Sequence, residues 1–241
     1  MASASELIVE HEPGDLTCVV GGALRLTSLQ TALAEHGQRL SLDPPGDPTI
    51  EECVVDDLSG PLRHRFGTMR DLVLGVTVTL LDGTRATSGG KVVKNVAGYD
   101  LGKLFCGSHG RLGRVEQGAL RLHPLPAASR TIVTTAARRR DLHFSSLVPS
   151  AVDIAGGRMH VLFEGSPRSV AAQAAELGAE EADPWNELRL LQARLPGKTR
   201  YEGNDAPLVR PGPRVAYVEQ AVEPAWSPLA ERIVEALCRP S

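Results

Sequence analysis

Aromatic side chains are scarce in this 241-residue chain, at 4% of the total, so its core has to be aliphatic. Charge of one sign is also lacking. The formal net charge of −3 gives no case for nucleic acid as a partner, which usually wants a basic face. The one dense basic run, Arg138-Arg139-Arg140, reads as a solvated helix start or loop. The cysteines Cys18, Cys53, Cys106 and Cys238 stand too far apart for metal-ligand spacing, and the histidines include no H-x-x-x-H pair. No metal site is expected, and buried reduced thiols suit a reducing cytoplasm. No run of about 18 apolar residues is present, so no helix is expected to span a membrane. Residues 1–10 lack a basic segment followed by an apolar run, so no signal peptide is expected and the predicted location is cytoplasmic.

What is present reads as α+β. Leu7 to Glu10 and Thr17 to Val20 are predicted strands around a Pro13-Gly14-Asp15 turn. Thr27-Ser28-Leu29-Gln30 fits a capping box that opens a helix, with Gly37 available for a left-handed stop. Asp43 to Gly60 is rich in Pro, Gly and acid and reads as loop. Leu72 to Leu81 is the strongest predicted strand. Val76, Val78 and Leu80 alternate with Thr77 and Thr79, which predicts one buried face. Asp82-Gly83 then turns the chain into an antiparallel return over Thr84 to Thr87. Asp100 is placed to cap a short helix through Phe105, and a strand follows through Leu122.

His123-Pro124-Leu125-Pro126 breaks the pattern and predicts two domains, 1–126 and 127–241. The second begins strand (Thr131 to Thr135), helix (Arg139 to Leu147), strand (Ala151 to Ile154) and strand (Arg158 to Glu164). A helix then runs from Ser166-Pro167 to Leu177. That order matches most of a ferredoxin-like split βαβ sandwich, with Val215 to Glu219 as the expected closing strand. Asp183 to Pro213 reads as irregular, and Ser227 to Leu237 as a last helix.

Three glycine-containing runs stand out. They are Ser59-Gly60-Pro61-Leu62-Arg63-His64-Arg65-Phe66-Gly67 with Arg70-Asp71, Gly89 to Leu101, and Lys103 to Gly113. Glycines let the backbone approach a bulky anion, and free amides then bind phosphate or ring carbonyls; ordinary turns are the competing reading. Arg65, Lys91 and Lys94 offer positive charge. The Gly107, Gly110 and Gly113 spacing does not match a Rossmann fingerprint, and Gly89-Gly90-Lys91 is not a P-loop. Cys106 stands where a nucleophile elbow needs glycine.

The ordered strings GPLRHRFGTMRDLVLGV, LLDGT, SGGKVVKNVAGYDLGKLFCGSHGRLG and LRLHPLP resemble the FAD-binding E subunits of glycolate oxidases, in the PCMH-type (vanillyl-alcohol-oxidase) FAD family. The resemblance runs from about Glu10 to Pro126 and continues more weakly through AVDIAGGRMHVLFEGSPRSVAAQAAEL. It implies the second lobe of a PCMH-type FAD-binding domain followed by a ferredoxin-like cap domain, with non-covalent FAD as cofactor. It places cofactor contacts at Ser59, Gly60, Gly67, Arg70, Asp71, Gly98, Tyr99, Asp100, Gly107, Gly110, Gly113 and Val115. It also implies a D-type flavin subunit and an iron–sulfur subunit as partners, and a small 2-hydroxy acid as substrate.

The chain departs from that family in several places. By this resemblance the given sequence is expected to correspond to the second lobe onward, without the glycine-rich first lobe, and to leave an apolar partner surface exposed. Glu51-Glu52 stands where the family has Gly-Gly, and two carboxylates beside a diphosphate repel it by on the order of 1–4 kcal/mol. Arg114 replaces an apolar residue, and the Asn-Pro-Gly type ending is absent. No catalytic base is assigned, although His64 and His109 fall in the right neighbourhoods. Two functions follow: an FAD-dependent oxidoreductase subunit, or a non-catalytic subunit that docks a flavoprotein partner.

Overall fold

The structure, a computed structural model, describes residues 7–90, 101–178, 180–200 and 206–220. Strands β1 (Ile8–Glu12) and β2 (Thr17–Gly21) form a hairpin, followed by helix α1 (Leu26–Ala34) and the two-residue strand β3 (Gln38–Arg39). Three short helices come next, α2 (Ile50–Val55), α3 (Arg63–Phe66) and α4 (Met69–Leu72). They lead into β4 (Val73–Leu80) and β5 (Arg85–Gly89), then α5 (Leu101–Phe105), β6 (Gly113–Arg121) and β7 (His123–Pro124). The antiparallel sheet has the order β1-β2-β6-β4-β5, and β3 pairs separately with β7. Its core joins Leu29 and Leu33 of α1, Ile50, Cys53 and Val54 of α2, and Val76, Val78, Val115 and Leu120 of the sheet. Each such aliphatic side chain contributes about 1.5–3 kcal/mol by leaving water.

Several local expectations are corrected here. Helix α1 starts at Leu26, not after Thr27, and its N-cap Arg25 makes no side-chain cap. The Asp47 carboxylate accepts the Thr27 N–H at 3.0 Å, and the Gln30 amide reaches across to the Leu40 carbonyl at 2.6 Å. A stronger acceptor from a distant loop has displaced the local capping box. The true box lies inside the stretch read as loop. Thr49 and Glu52 cap α2 reciprocally, with Glu52 accepting the Thr49 N–H at 2.6 Å and its carboxyl held below the usual range by those bonds. Strand β4 lies between β6 and β5, so Thr77 is buried along with Val76 and Val78 and meets the Thr87 hydroxyl at 3.2 Å.

The second sheet is built from β8 (Ala128–Thr135), β9 (Ala151–Ala155), β10 (Arg158–Gly165), β11 (Glu180–Glu181), β12 (Gly197–Arg200), β13 (Leu208–Arg210) and β14 (Val215–Val218). A 3₁₀ turn (Ala136–Arg138) and helix α6 (Arg139–Phe144) follow β8, α7 (Pro167–Leu177) follows β10, and α8 (Trp185–Arg194) follows β11. The strand order is β11-β8-β10-β9-β13-β14-β12. Its first four strands have the order of a split βαβ sandwich. The closing strand is therefore β11 beside β8, while Val215–Val218, expected in that role, extends the far side of the sheet. The region read as irregular from Asp183 to Pro213 contains α8, β12 and β13.

Helix α7 starts as expected, with the Ser166 hydroxyl accepting the Ser169 N–H and Pro167 in the first turn. It covers one face of the sheet through Val170, Ala174 and Leu177, against Met159, Val161 and Phe163. Trp185 and Leu188 of α8 pack in a separate cluster with Leu208, Val215 and Tyr217. Arg138 donates to the Leu177 carbonyl at the end of α7, a favourable place for a cation. Ser227 to Leu237 lies outside the described residues.

Candidate functional site

The Ser59-Gly60 turn leaves α2 through a fixed frame. Leu58 donates its N–H to the Cys53 carbonyl and accepts the Met69 N–H. Gly60 lies against the chain at Asp43, where an added Cβ would stand 1.8 Å from the Asp43 carbonyl oxygen; only glycine fits. The Ser59 hydroxyl accepts from Arg63 at 3.3 Å, and its carbonyl accepts the Gln192 amide of α8 at 2.9 Å. Both residues are buried, yet neither backbone N–H donates a hydrogen bond to any described residue. Adjacent buried amides without an acceptor are costly unless a ligand or water takes them.

The Gly67 to Asp71 stretch does different work. Gly67 has φ +83°, and an added Cβ would lie 2.1 Å from an Asp71 carboxylate oxygen. Asp71 accepts the Thr68 N–H at 2.9 Å and caps α4. The Arg70 N–H goes to Asp57 at 2.9 Å, and its guanidinium donates to the Lys103 carbonyl. These groups brace α4 against α5.

Gly98, Tyr99 and Asp100 lie outside the described residues. Gly107, Gly110 and Gly113 all take positive φ, at +78°, +73° and +133°. The turn hangs from the end of α2: the Gly107 and His109 N–H groups donate to the Val54 and Val55 carbonyls at 3.3 and 2.8 Å. The Ser108 hydroxyl within this turn is buried and makes no hydrogen bond. The Val115 N–H, at the start of β6, donates to a Glu51 carboxylate oxygen at 3.1 Å. Helix α2 is thus the shared support, touching Val115 through its first turn and the Gly107 turn through its last.

Neither histidine is set up as a base. Burial lowers the His64 pKa and its Nδ1 has no partner; the ring packs at Gly212, where a Cβ would come within 2.2 Å of Nδ1. His109 Nδ1 pairs with Asp56 at 2.9 Å on the surface.

Sequence reasoning missed the groups that join the two sheets. Arg210 and Asp153 are fully buried, with Nε to Oδ1 at 3.0 Å and Nη2 to Oδ2 at 3.2 Å. The same guanidinium donates to the Tyr217 hydroxyl at 2.7 Å and to the Gln192 side-chain carbonyl at 2.8 Å. Gln192, held in this way, grips the Ser59 carbonyl. Beside it, Arg39 pairs with Glu164 through two bonds of 2.6 Å, and Arg189 meets Asp43 at 3.3 Å. A cleft of about 640 Å³ opens here, lined by Arg39, Asp43, Leu62, Glu164, Trp185 and Arg189 among others. The Asp43 carboxyl is raised to about 7, chiefly by burial, with the Leu62 N–H and Arg189 opposing the shift. A charge inside the apolar strand AVDIA was the one sequence signal for this network.

Known proteins resemble this chain as follows. A family described as FAD binding domain matches residues 2–89. Glycolate oxidase subunit GlcE of Escherichia coli (strain K12) is 31% identical over 210 residues, covering 79% of this chain and 58% of that protein. Glycolate oxidase subunit GlcD of Bacillus subtilis (strain 168) is 42% identical over 132 residues, covering 52% of this chain and 27% of that protein. D-lactate dehydrogenase [cytochrome] 1, mitochondrial, of Saccharomyces cerevisiae is 32% identical over 128 residues, 53% of this chain and 22% of that protein. The chain therefore spans a little over half of GlcE and about a quarter of the other two. Among solved structures, an alkyldihydroxyacetonephosphate synthase superposes with a TM-score of 0.61 at 15% identity, covering 78% of this chain and 46% of that one; this is likeness of fold.

The donors present fit such a cofactor at Ser59 and Gly60, where two buried amides are open. They do not fit at Val115, whose amide is already taken by Glu51. In its α+β fold, in the match over residues 2–89 and in the likeness to GlcE, this chain is similar to the PCMH-type FAD-binding flavoproteins.

Proposed function

We propose that this chain is the FAD-binding subunit of a glycolate-oxidase-like complex that oxidises a 2-hydroxy acid. In this reading residues 1–126 form the cofactor lobe and 127–241 the cap. FAD, when bound, supplies the hydride acceptor. The chain's own part is binding and orientation. The Ser59 and Gly60 amides donate to the cofactor, Gln192 fixes the Ser59 carbonyl from the cap side, and the glycine turn from Gly107 to Gly113 lets the backbone come close. Gly67, Arg70 and Asp71 support that surface, and Gly98, Tyr99 and Asp100 complete the proposed contacts. The paired open amides at Ser59 and Gly60 carry this reading. The proposed partners are a D-type flavin subunit and an iron–sulfur subunit, and the proposed location is the cytoplasm. No helix among the described residues is long and apolar enough to cross a membrane.

A second reading, a subunit that docks a flavoprotein partner without binding cofactor, is favoured by the Glu51 bond to Val115. Titrating the full purified chain with FAD and recording the flavin spectrum separates the two. Bound flavin that bleaches on anaerobic addition of glycolate or D-lactate, with the D-type subunit present, supports the first. A colourless chain that still co-purifies with the D-type subunit supports the second.

A further inference from the structure

Strand β2 ends at Gly21, opposite Gln117 of β6. The Gly22 N–H still reaches the Glu116 carbonyl at 2.7 Å, and beyond it β2 offers no partner to Val115. The Glu51 side chain fills that place. Its backbone N–H donates to the Gly22 carbonyl at 2.9 Å, which sets the residue beside the end of the ladder, and its carboxylate accepts the Val115 N–H at 3.1 Å. An added Cβ on Gly22 would stand 2.0 Å from the Val115 carbonyl oxygen and 3.4 Å from the Glu51 Cβ. Nothing larger than glycine would let the two strands and α2 close this tightly. The carboxylate is not sealed in. Its side chain is 24% exposed, and its other neighbour, Arg114 at 3.8 Å, is 83% exposed and holds it weakly. A group with one backbone bond and a path to water is free to leave. Glu52, by contrast, is committed to the α2 cap.

We propose that Glu51 is a gate on cofactor entry: it occupies the Val115 amide and sets a negative charge in the path of the cofactor's diphosphate. The inference rests on the FAD-binding reading above. For FAD to close against β6, the Glu51 carboxylate has to rotate into solvent. Giving up one charge-assisted bond corresponds to about a tenfold loss of affinity or more. The charge adds a repulsion that salt screens over about 8–10 Å at ordinary ionic strength. The gate therefore leaves two separable marks, one of occupancy and one of charge.

The test is FAD affinity of the full chain, read from flavin fluorescence, for the wild type, Glu51→Gly and Glu51→Gln at low and high salt. Glu51→Gly is expected to bind FAD at least about tenfold more tightly than wild type. Glu51→Gln keeps an oxygen acceptor for Val115 and loses only charge. It should show part of the gain, and its affinity should lose the rise with salt that the wild type shows. Wild-type binding with no gain in either variant overturns the gate and leaves the FAD reading standing. Absence of binding in all three overturns both. Should Glu51→Gly fail to fold, Glu51→Gln decides: unchanged affinity with unchanged salt dependence overturns the proposal.

Discussion

Replacing Arg210 with Met should destabilise the protein more than almost any surface change. The guanidinium is fully buried and makes bonds of 2.7 to 3.3 Å to Asp153, Tyr217 and Gln192. Asp153 is also wholly shielded from water. Taking away the cation leaves a buried carboxylate in the sheet without its hydrogen-bonded counter-charge, a loss of about 3–5 kcal/mol. For a chain of this size each kcal/mol lowers Tm by about 2–4 °C, so the expected fall is about 6–20 °C. The cause is an orphaned charge rather than a lost attraction, so a second change should restore most of the loss. Asp153→Leu combined with Arg210→Met is expected to return to within about 1–2 kcal/mol of wild type. Thermal and urea melts followed by circular dichroism measure all three. A single variant within about 1 kcal/mol of wild type, or a double variant no better than the single, would refute the reasoning.

Two further outcomes follow from titratable groups. The Asp43 carboxyl is raised to about 7 by burial from an unfolded value of about 3.9. Its contribution is present below the unfolded value and lost as pH rises through about 7, on the order of 2–4 kcal/mol. Asp43→Asn keeps an acceptor for the Leu62 N–H, so its stability relative to wild type should improve between about pH 5 and pH 8; parallel urea midpoints across that range would contradict this. Burial pushes the Cys18 and Cys53 thiols up to about 12. Ellman's reagent at about pH 8 should leave both untouched in the native chain and react once it unfolds; native labelling at free-thiol rates counts against the buried core.

Much of the framework was legible because it rests on short-range chemistry. The Asp82-Gly83 turn between β4 and β5, with Gly83 at φ +84°, follows from its dipeptide. The start of α7 follows from Ser166-Pro167. Long-range competition decided the rest. Thr27 had a plausible box until Asp47 took its amide, while Thr49 and Glu52 formed one within a run whose prolines and glycines read as loop. The closing strand β11 has only two residues, too short to show an alternation. For the site, the glycine runs were visible as runs. Which amides stay open and which are taken was not, since that depends on Asp43 against Gly60, Glu51 against Val115 and Gln192 against Ser59, pairs 17, 64 and 133 residues apart in sequence. The Arg210–Asp153 pair, 57 residues apart, carries no local pattern except a charge in an apolar strand.

The most direct test of the cofactor site is amide hydrogen exchange at Ser59 and Gly60 in the full chain, with and without saturating FAD. The account predicts that both amides become strongly protected when FAD binds, while Leu58, already bonded to Cys53, changes little. Flavin that binds with exchange at Ser59 and Gly60 unaltered would contradict it.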